Sequence, residues 1–329
     1  MEPMTPARPP VRLHIVTGKG GTGKTTVAAA LALALATGGK RVLLIETEER
    51  QAIAQLFDLP PLPYEERRIA LAPGGGEVRA LAIDVEAALM EYFAMFYNLG
   101  FAARTLKRLG AVEFATTLAP GLRDVLITGK IKETVTRGGE KPMYDAVVVD
   151  APPTGRVVTF LGVTVAMADL ARRGPIHNQA SGVSALLHSA ETAVHLVTLL
   201  EDMPVTETIE AIGQLKEAEL PVGSIIVNQV APARLPDKLL AEAEAGTVDT
   251  AALRRGLAGY GVTAAGATLT AFADVIRRYA EQSADRARCR AELAATGLPL
   301  LDLPASPTAV ELGELYELAE LLVAEGVPA

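Results

Sequence analysis

Eleven residues near the N-terminus, Val16-Thr-Gly-Lys-Gly-Gly-Thr-Gly-Lys-Thr-Thr26, constrain this chain more than any other stretch. A β-prone run, Val11 to Val16, leads into them, and an unbroken Val/Ala/Leu series, Val27 to Ala36, follows. Strand, glycine loop and helix, in that order, are the setting of a phosphate-binding loop. Gly18, Gly23, Lys24 and Thr25 fit the G-x-x-x-x-G-K-[ST] spacing at every fixed position. Glycines let backbone N–H groups converge on an anion, and the helix N-terminus adds about half a positive charge. On this reading Gly18, Lys19, Gly20, Gly21, Thr22, Gly23, Lys24, Thr25 and Thr26 wrap a nucleotide's phosphates. Lys24 reaches the outer phosphates, and the Thr25 hydroxyl ligates Mg²⁺. One lysine is enough for that task, so Lys19 needs its own explanation; a solvated loop lysine is the plain one.

Six further short apolar runs read as strands: Arg41 to Glu46, Val78 to Ile83, Tyr144 to Asp150, Val194 to Leu200, Gly223 to Asn228 and Leu298 to Leu303. Near-continuous apolar runs suit parallel strands covered by helices on both faces. The expected fold is therefore α/β: a doubly wound, mostly parallel sheet of about seven strands. Crossover helices are expected at Glu207 to Glu217 and at Thr308 to Ala324, the second entered through Pro307. No internal repeat is visible, so one unit is expected over 11–329, not a tandem pair. The stretches 85–138 and 160–193 are too long for simple crossovers and read as helical insertions. Met1 to Pro10 is proline-rich and reads as a disordered tail.

Composition narrows the function. Formal net charge is −8, and no basic run exceeds a few residues, which argues against nucleic acid as a partner. Lys107-Arg108 and Arg254-Arg255 read as solvated faces. The lone Cys289 forbids an intrachain disulfide or a multi-cysteine metal site and suits a reducing compartment. The N-terminus lacks a cationic segment followed by an apolar core of the secretory kind. No apolar run approaches the ~20 residues that span a bilayer. A cytoplasmic protein without an integral membrane segment is expected, with peripheral membrane contact left open.

The strand ends carry the rest of the chemistry. Tyr144-Asp-Ala-Val-Val-Val-Asp150 puts a carboxylate at the tip of a buried strand, where ligands bind in open α/β sheets. Asp150 is the candidate Mg²⁺ residue, with helix capping as its plain alternative. In the following Ala151-Pro-Pro-Thr-Gly-Arg156, the prolines stop the strand and Gly155 allows a γ-phosphate to approach the backbone.

Taken together, G-K-G-G-T-G-K-T-T and D-A-P-P-T-G-R resemble the deviant Walker A box and the D-T-A-P-T-G-H switch II of the arsenite-pump and tail-anchored-protein-targeting ATPases, in a single-domain form. The resemblance implies a Mg²⁺-dependent ATPase working as a homodimer, or as a heterodimer with a related chain. It implies that Lys19 reaches across that interface to the partner's nucleotide. Glu46-Thr-Glu-Glu-Arg-Gln51 stands where the family has D-T-D-P-A-H, so Glu48 is implied to position the attacking water, with Glu46 in reserve. Here the chain departs from the family. Glutamate replaces aspartate and Pro-Ala-His is missing, so a solvated acidic turn competes with the catalytic role. One extra methylene moves a carboxylate by roughly an ångström, a misplacement that can reduce rate about a hundredfold. Val227-Asn228-Gln229 resembles the family's V-N-Q, in which the asparagine reads adenine. No Asn-Lys-x-Asp guanine motif is present, so ATP is favoured. The Asp302 to Ser306 loop is placed on the other face of the base. Leu199 to Thr208 also resembles a family segment, a strand end leading into a helix that contains Glu-Thr. Arsenite transport and a zinc-bridged dimer both rely on cysteines that this chain lacks.

Glu86 to Phe101 holds five of the fourteen aromatic residues. Leu89, Phe93, Phe96 and Gly100 form one helical line, and Met90, Tyr97 and Phe101 another. Such a helix is either core or half of a groove for a hydrophobic protein client. Glu191 lies about one helical turn from His188 and His195, but Val194 to Leu200 reads as a strand, so His177, His188 and His195 read as structural. Two functions stay open: a nucleotide-switched ATPase that controls a partner or client, and a hydrolysis-poor nucleotide-binding regulatory subunit. A small-molecule kinase is a weaker third, since no arginine-bearing lid is signalled.

Overall fold

The computed structural model describes residues 10–97, 121–171, 175–306 and 310–326. The tail before Pro10, the end of the Glu86 to Phe101 segment, Lys107-Arg108, the His177 side chain and Pro307 lie outside that description. Eight strands form one sheet: β1 (Leu13–Gly18), β2 (Arg41–Glu46), β3 (Arg67–Ala72), β4 (Gly76–Ala82), β5 (Ala146–Asp150), β6 (Thr192–Thr198), β7 (Val222–Val230) and β8 (Leu300–Pro304). Their order is β3-β4-β2-β5-β1-β6-β7-β8, and every pairing except β3–β4 is parallel. The α/β class holds. The strand beyond the expected seven is β3, an antiparallel edge. Its Arg67-Arg-Ile-Ala-Leu-Ala72 pairs on one side only and leaves half its residues in solvent, so its apolar run is cut to four residues by the two arginines that open it.

The helices are α1 (Lys24–Ala36), α2 (Ala52–Leu56), α3 (Val85–Tyr97), α4 (Leu122–Thr136), α5 (Thr154–Ala171), α6 (Pro175–Leu187), α7 (Asp202–Glu217), α8 (Asp237–Glu244), α9 (Thr250–Gly259), α10 (Gly266–Ala294) and α11 (Leu312–Ala324). Side chains alternate across β5: Val147 and Val149 enter one core, and Ala146 and Val148 the other. α1 and α11 cover the second face; α4, α5, α6 and α7 cover the first. Every residue of α1 from Val27 to Ala36 is buried, because an Ala/Leu helix that is apolar all round has no side to give to water.

Two boundaries and one region differ from expectation. α7 starts at Asp202 and not Glu207, since Pro204 fits a helix's first turn, where no intrahelical N–H partner is needed. α11 starts at Leu312, set by a capping box in which Glu311 and Glu314 each bond the other's backbone. The helices α8, α9 and α10 are not anticipated at all. α10 buries only Leu269, Ile276, Ala280, Cys289 and Leu293 of its 29 residues, so its apolar periodicity is sparse. In α3, Val85, Ala88 and Leu89 belong to the core and Met90 packs against it. No helix among the described residues is long and apolar enough to cross a membrane.

Polar links tie the elements together away from the strand tips. Tyr64 Oη and Lys130 Nζ both donate to Glu91, at 2.6 and 2.9 Å. Arg137, the C-cap of α4, and Tyr144 both donate to Glu66. His188 lies between the carbonyls of Ser184 and Ala218, while His195 sits on β6 in the core.

His14 of β1 and His195 of β6 stack in the sheet interior, ring centroids 5.4 Å apart. The Ser224 N–H points at His195 Nδ1, which makes that nitrogen an acceptor. His195 Nε2–H then donates to His14 Nδ1 at 3.1 Å, and His14 Nε2 is left buried without a partner. Burial lowers the His14 pKa to about 4, and burial with the neighbouring His14 lowers His195 to about 3. Both rings are neutral in the fold. The unfolded chain takes up protons below about pH 6.5 and the fold does not, so stability is lost as pH falls from about 6.5 to about 4. Urea unfolding at pH 7 and pH 4.5 should show wild type losing about 5 kcal/mol, about 2.5 for each ring, relative to the His14→Leu/His195→Leu variant. A difference that does not change with pH would count against two neutral rings.

Candidate functional site

β1 ends at Gly18, and α1 begins at Lys24, with Gly23 as its N-cap in the left-handed region at φ 88°. Two glycines here are required by space. A Cβ on Gly18 would lie 2.2 Å from the Val197 carbonyl oxygen, and one on Gly23 would lie 2.3 Å from Asn228 Nδ2. The Lys19 carbonyl organises the loop: it accepts from Thr22 N at 3.3 Å, Thr22 Oγ1 at 2.9 Å and Lys24 Nζ at 3.4 Å. No acidic side chain occupies the first turn of α1, so its open N–H groups keep their partial positive charge for an anion.

The carboxylates come from parallel register. Asp150 at the end of β5 lies opposite Val16 of β1 and Glu46 of β2. Thr25 Oγ1 donates to Asp150 Oδ2 at 2.7 Å, joining the loop's helix to the strand tip. Burial pushes the Asp150 pKa up to about 6, against the opposing pull of Thr25 and Lys24. Burial pushes Glu46 up to about 7, partly offset by the Ala52 N–H on its Oε1 at 2.8 Å. The Lys24 ammonium is lowered by burial and partly restored by Asp150 and Glu48. Glu46 Oε2, Asp150 Oδ1 and Thr154 Oγ1 are all buried without a hydrogen-bond partner. Buried polar atoms are rarely left so, and these three, two at neighbouring strand ends and one at the start of α5, form a donor set for a hard cation and phosphate oxygens. The residues present fit Mg²⁺.

Two loops are fastened around these groups. Thr17 Oγ1 donates to the Pro152 carbonyl at 2.8 Å, and Thr47 Oγ1 donates to the Asp150 carbonyl at 2.7 Å. Gln51 is left-handed at φ 56° and grips Leu62 from both sides: Nε2 donates to the Leu62 carbonyl, and Oε1 accepts from the Leu62 N–H. Glu48 sits between these anchors, paired at 3.4 Å with the exposed Arg50. Glu48, Arg50, Arg123, Asp124, Arg156 and Phe160 are among the residues lining a cavity of about 330 Å³. Gly155 lies in the first turn of α5 with open space where a side chain would be.

A second cavity, of about 310 Å³, opens beside the phosphate loop. Gly23 and Thr26 form one wall, Asn228 and Gln229 another, and Pro304 to Ser306 with Val310, Glu314, Glu317, Leu318 and Leu321 the remainder. Asn228 Nδ2 donates to the Thr22 carbonyl at 2.9 Å, so one of its amide hydrogens serves the loop itself. Lys19 turns away from Lys24: its Nζ meets Glu207 Oε1 of α7 at 2.7 Å.

The structure thus brings Gly18 to Thr26, Glu46, Glu48, Asp150 and Asn228 to one edge of the sheet. Sequence reasoning missed Arg50, Arg123 and Asp124 around the cavity, and Glu207 as the partner of Lys19. Arg50 stands inside the segment that departs from D-T-D-P-A-H, and that departure is the available signal. Glu207 belongs to the Glu-Thr of the Leu199 to Thr208 segment, but nothing local pairs it with Lys19, from which 188 residues separate it.

Residues 11–178 match the family described as anion-transporting ATPase. The chain is 58% identical over 319 residues to ATPase BagA of Mycobacterium tuberculosis, covering 96% of this chain and 94% of that protein. An ATPase of Mycobacterium bovis matches with the same values. ATPase GET3 of Kluyveromyces lactis is 28% identical over 255 residues, covering 67% of this chain and 72% of that protein.

Gly23→Ala places a side chain against Asn228 in a backbone region that favours glycine. It should weaken binding of a fluorescent nucleotide at least ~10-fold while shifting thermal stability by ~1–2 kcal/mol. Unchanged affinity would remove the Gly23–Asn228 contact from the binding site.

Proposed function

The chain belongs to the anion-transporting ATPase family, and we propose that it hydrolyses ATP with Mg²⁺ as a nucleotide-switched dimer that controls the binding of a protein client. The observation that carries the Mg²⁺ assignment is the Thr25–Asp150 contact with its unpartnered Asp150 Oδ1 and Glu46 Oε2. The reading takes 11–329 as one ATPase domain, with 85–138 and 160–193 as insertions.

Each side chain has a role in this reading. The loop N–H groups and Lys24 hold the phosphates, and Thr25 and Asp150 hold Mg²⁺. When bound, Mg²⁺ supplies a compact charge that neutralises phosphate oxygens. Gly155, at the open N-terminus of α5, lets the backbone approach the γ-phosphate. Asn228 and the 304–306 loop enclose adenine in the cavity beside Gly23. Glu48, partly open to water, accepts a hydrogen bond from the attacking water and orients it. Glu46, buried and tied to Ala52, helps retain the cation. Lys19 works at the interface with a second chain, either another copy or a related one. A hydrophobic protein client rests on the family resemblance alone. The acidic balance and lone buried Cys289 support a cytoplasmic setting without nucleic acid.

One observation favours the hydrolysis-poor regulatory reading. Arg50 holds Glu48 at 3.4 Å, which draws that carboxylate toward a cation of its own loop. Phosphate release in steady state separates the two. Wild type should turn over, and Lys24→Ala should lower kcat/KM at least ~100-fold. Glu48→Gln should keep nucleotide affinity within about threefold and lower kcat about 100-fold. Wild-type turnover in Glu48→Gln, with loss in Glu46→Gln, would transfer the role to Glu46. No phosphate release by wild type would favour the regulatory subunit. Mixing Lys19→Ala with Lys24→Ala protein should restore part of the activity, and no recovery would count against a shared site.

A further inference from the structure

Lys19 has its backbone fixed and its side chain elsewhere. Its carbonyl is held by Thr22 and Lys24, so the phosphate loop is organised around it. Its ammonium leaves the cradle and meets Glu207 on α7 at 2.7 Å. Gly20 and Gly21 beside it have no heavy atom within 4 Å of where a Cβ would stand, so nothing packed against them blocks a swing of the lysine.

We propose that Glu207 is the resting counter-ion of Lys19: it keeps the lysine on its own subunit while two phosphate loops are apart, and releases it when two nucleotide-loaded copies meet. This rests on the reading above in which Lys19 serves across an interface. The pair is suited to exchange. Its side chains are 28% and 34% exposed, and half-exposed pairs of this kind shift an equilibrium by no more than about fivefold. A lysine contact to phosphate is charge-assisted on a multiply charged acceptor and stronger than that. The setting also faces outward. Met203, one helical turn before Glu207 on the same face of α7, is 63% exposed. An apolar side chain beside a breakable ion pair, on the face that carries the phosphate loop, is suited to contact with a second copy. In a chain of net charge −8, each copy loaded with nucleotide repels the other, so a lysine freed to cross offsets part of that repulsion.

The test is a double-mutant cycle on self-association in Mg²⁺ and a non-hydrolysable ATP analogue, followed by sedimentation velocity. Wild type, Glu207→Gln, Lys19→Ala and the double variant are compared, with steady-state ATPase activity measured across protein concentration. Glu207→Gln should tighten the dimer about two- to fivefold. Its half-maximal turnover should then occur at correspondingly lower protein concentration, with kcat at saturation within about twofold of wild type. On the Lys19→Ala background the same substitution should change association by less than about 1.5-fold, because the lysine it restrains is gone. Three results overturn the proposal and leave the trans role of Lys19 standing. Glu207→Gln could leave association unchanged. It could lower kcat, which would make Glu207 an orienting group. Or it could tighten the dimer equally without Lys19, which would be simple relief of charge. If wild type does not associate with the analogue, or Lys19→Ala turns over and associates as wild type does, the trans reading fails and the counter-ion role fails with it.

Discussion

Glu46 and Asp150 end β2 and β5 side by side, with Val16 of β1 opposite Asp150 and two residues short of the phosphate loop's first glycine, and the chemistry of the molecule hangs on that alignment. Parallel pairing places strand tips on one edge, and the alternation of side chains decides which residues look toward the loop. A slip of one residue would turn Asp150 into the core and break its bond to Thr25. The helix that carries Thr25 is in turn fixed by burial on every side. The site therefore inherits its geometry from the sheet's hydrophobic register and not from contacts among the site residues themselves.

The same sheet treats its buried ionisable groups in two ways. At the strand tips, Glu46 and Asp150 are held close together, with pKa values raised to about 7 and about 6, and each leaves an oxygen unpartnered. Between β1 and β6, His14 and His195 are buried just as deeply, but neutral and bonded to one another. Burial penalises charge in both places. The difference is what stands nearby: Lys24 and a loop of open N–H groups at the tips, and only uncharged neighbours around the imidazoles.

Much of this was legible in the sequence, for a physical reason. A phosphate loop is a local structure, so Gly18 to Thr26 can be read from spacing, and Asp150 from the apolar run that it ends. Central parallel strands are apolar throughout and announce themselves. What escaped was whatever depends on one-sided or distant contacts. β3 is an edge with half its residues in water, and α10 buries only a fifth residue here and there along an exposed length. The Lys19–Glu207 pair and the Gln51–Leu62 grip join residues whose proximity the fold creates. Glu48 could be proposed from the family resemblance, but not its pairing with Arg50, because E-E-R-Q replaces the residues on which the resemblance relies.

α1 has consequences for how the molecule moves. With ten consecutive residues enclosed by the sheet and α11, it cannot rotate or slide without opening both packing layers. The phosphate cradle is therefore a stationary reference frame. What is only pinned at points has more freedom: the Thr47 to Gln51 loop, held at Asp150 and Leu62, and the Ala151 to Pro153 turn, held at Thr17, which leads into α5. The Thr47 to Gln51 loop touches the first turn of α4 through Glu49–Arg123 at 3.4 Å, and the first turn of α5 touches it through Arg156–Asp124 at 3.8 Å. Mechanically the ATPase is a rigid bed with two short levers bearing on the same helix end.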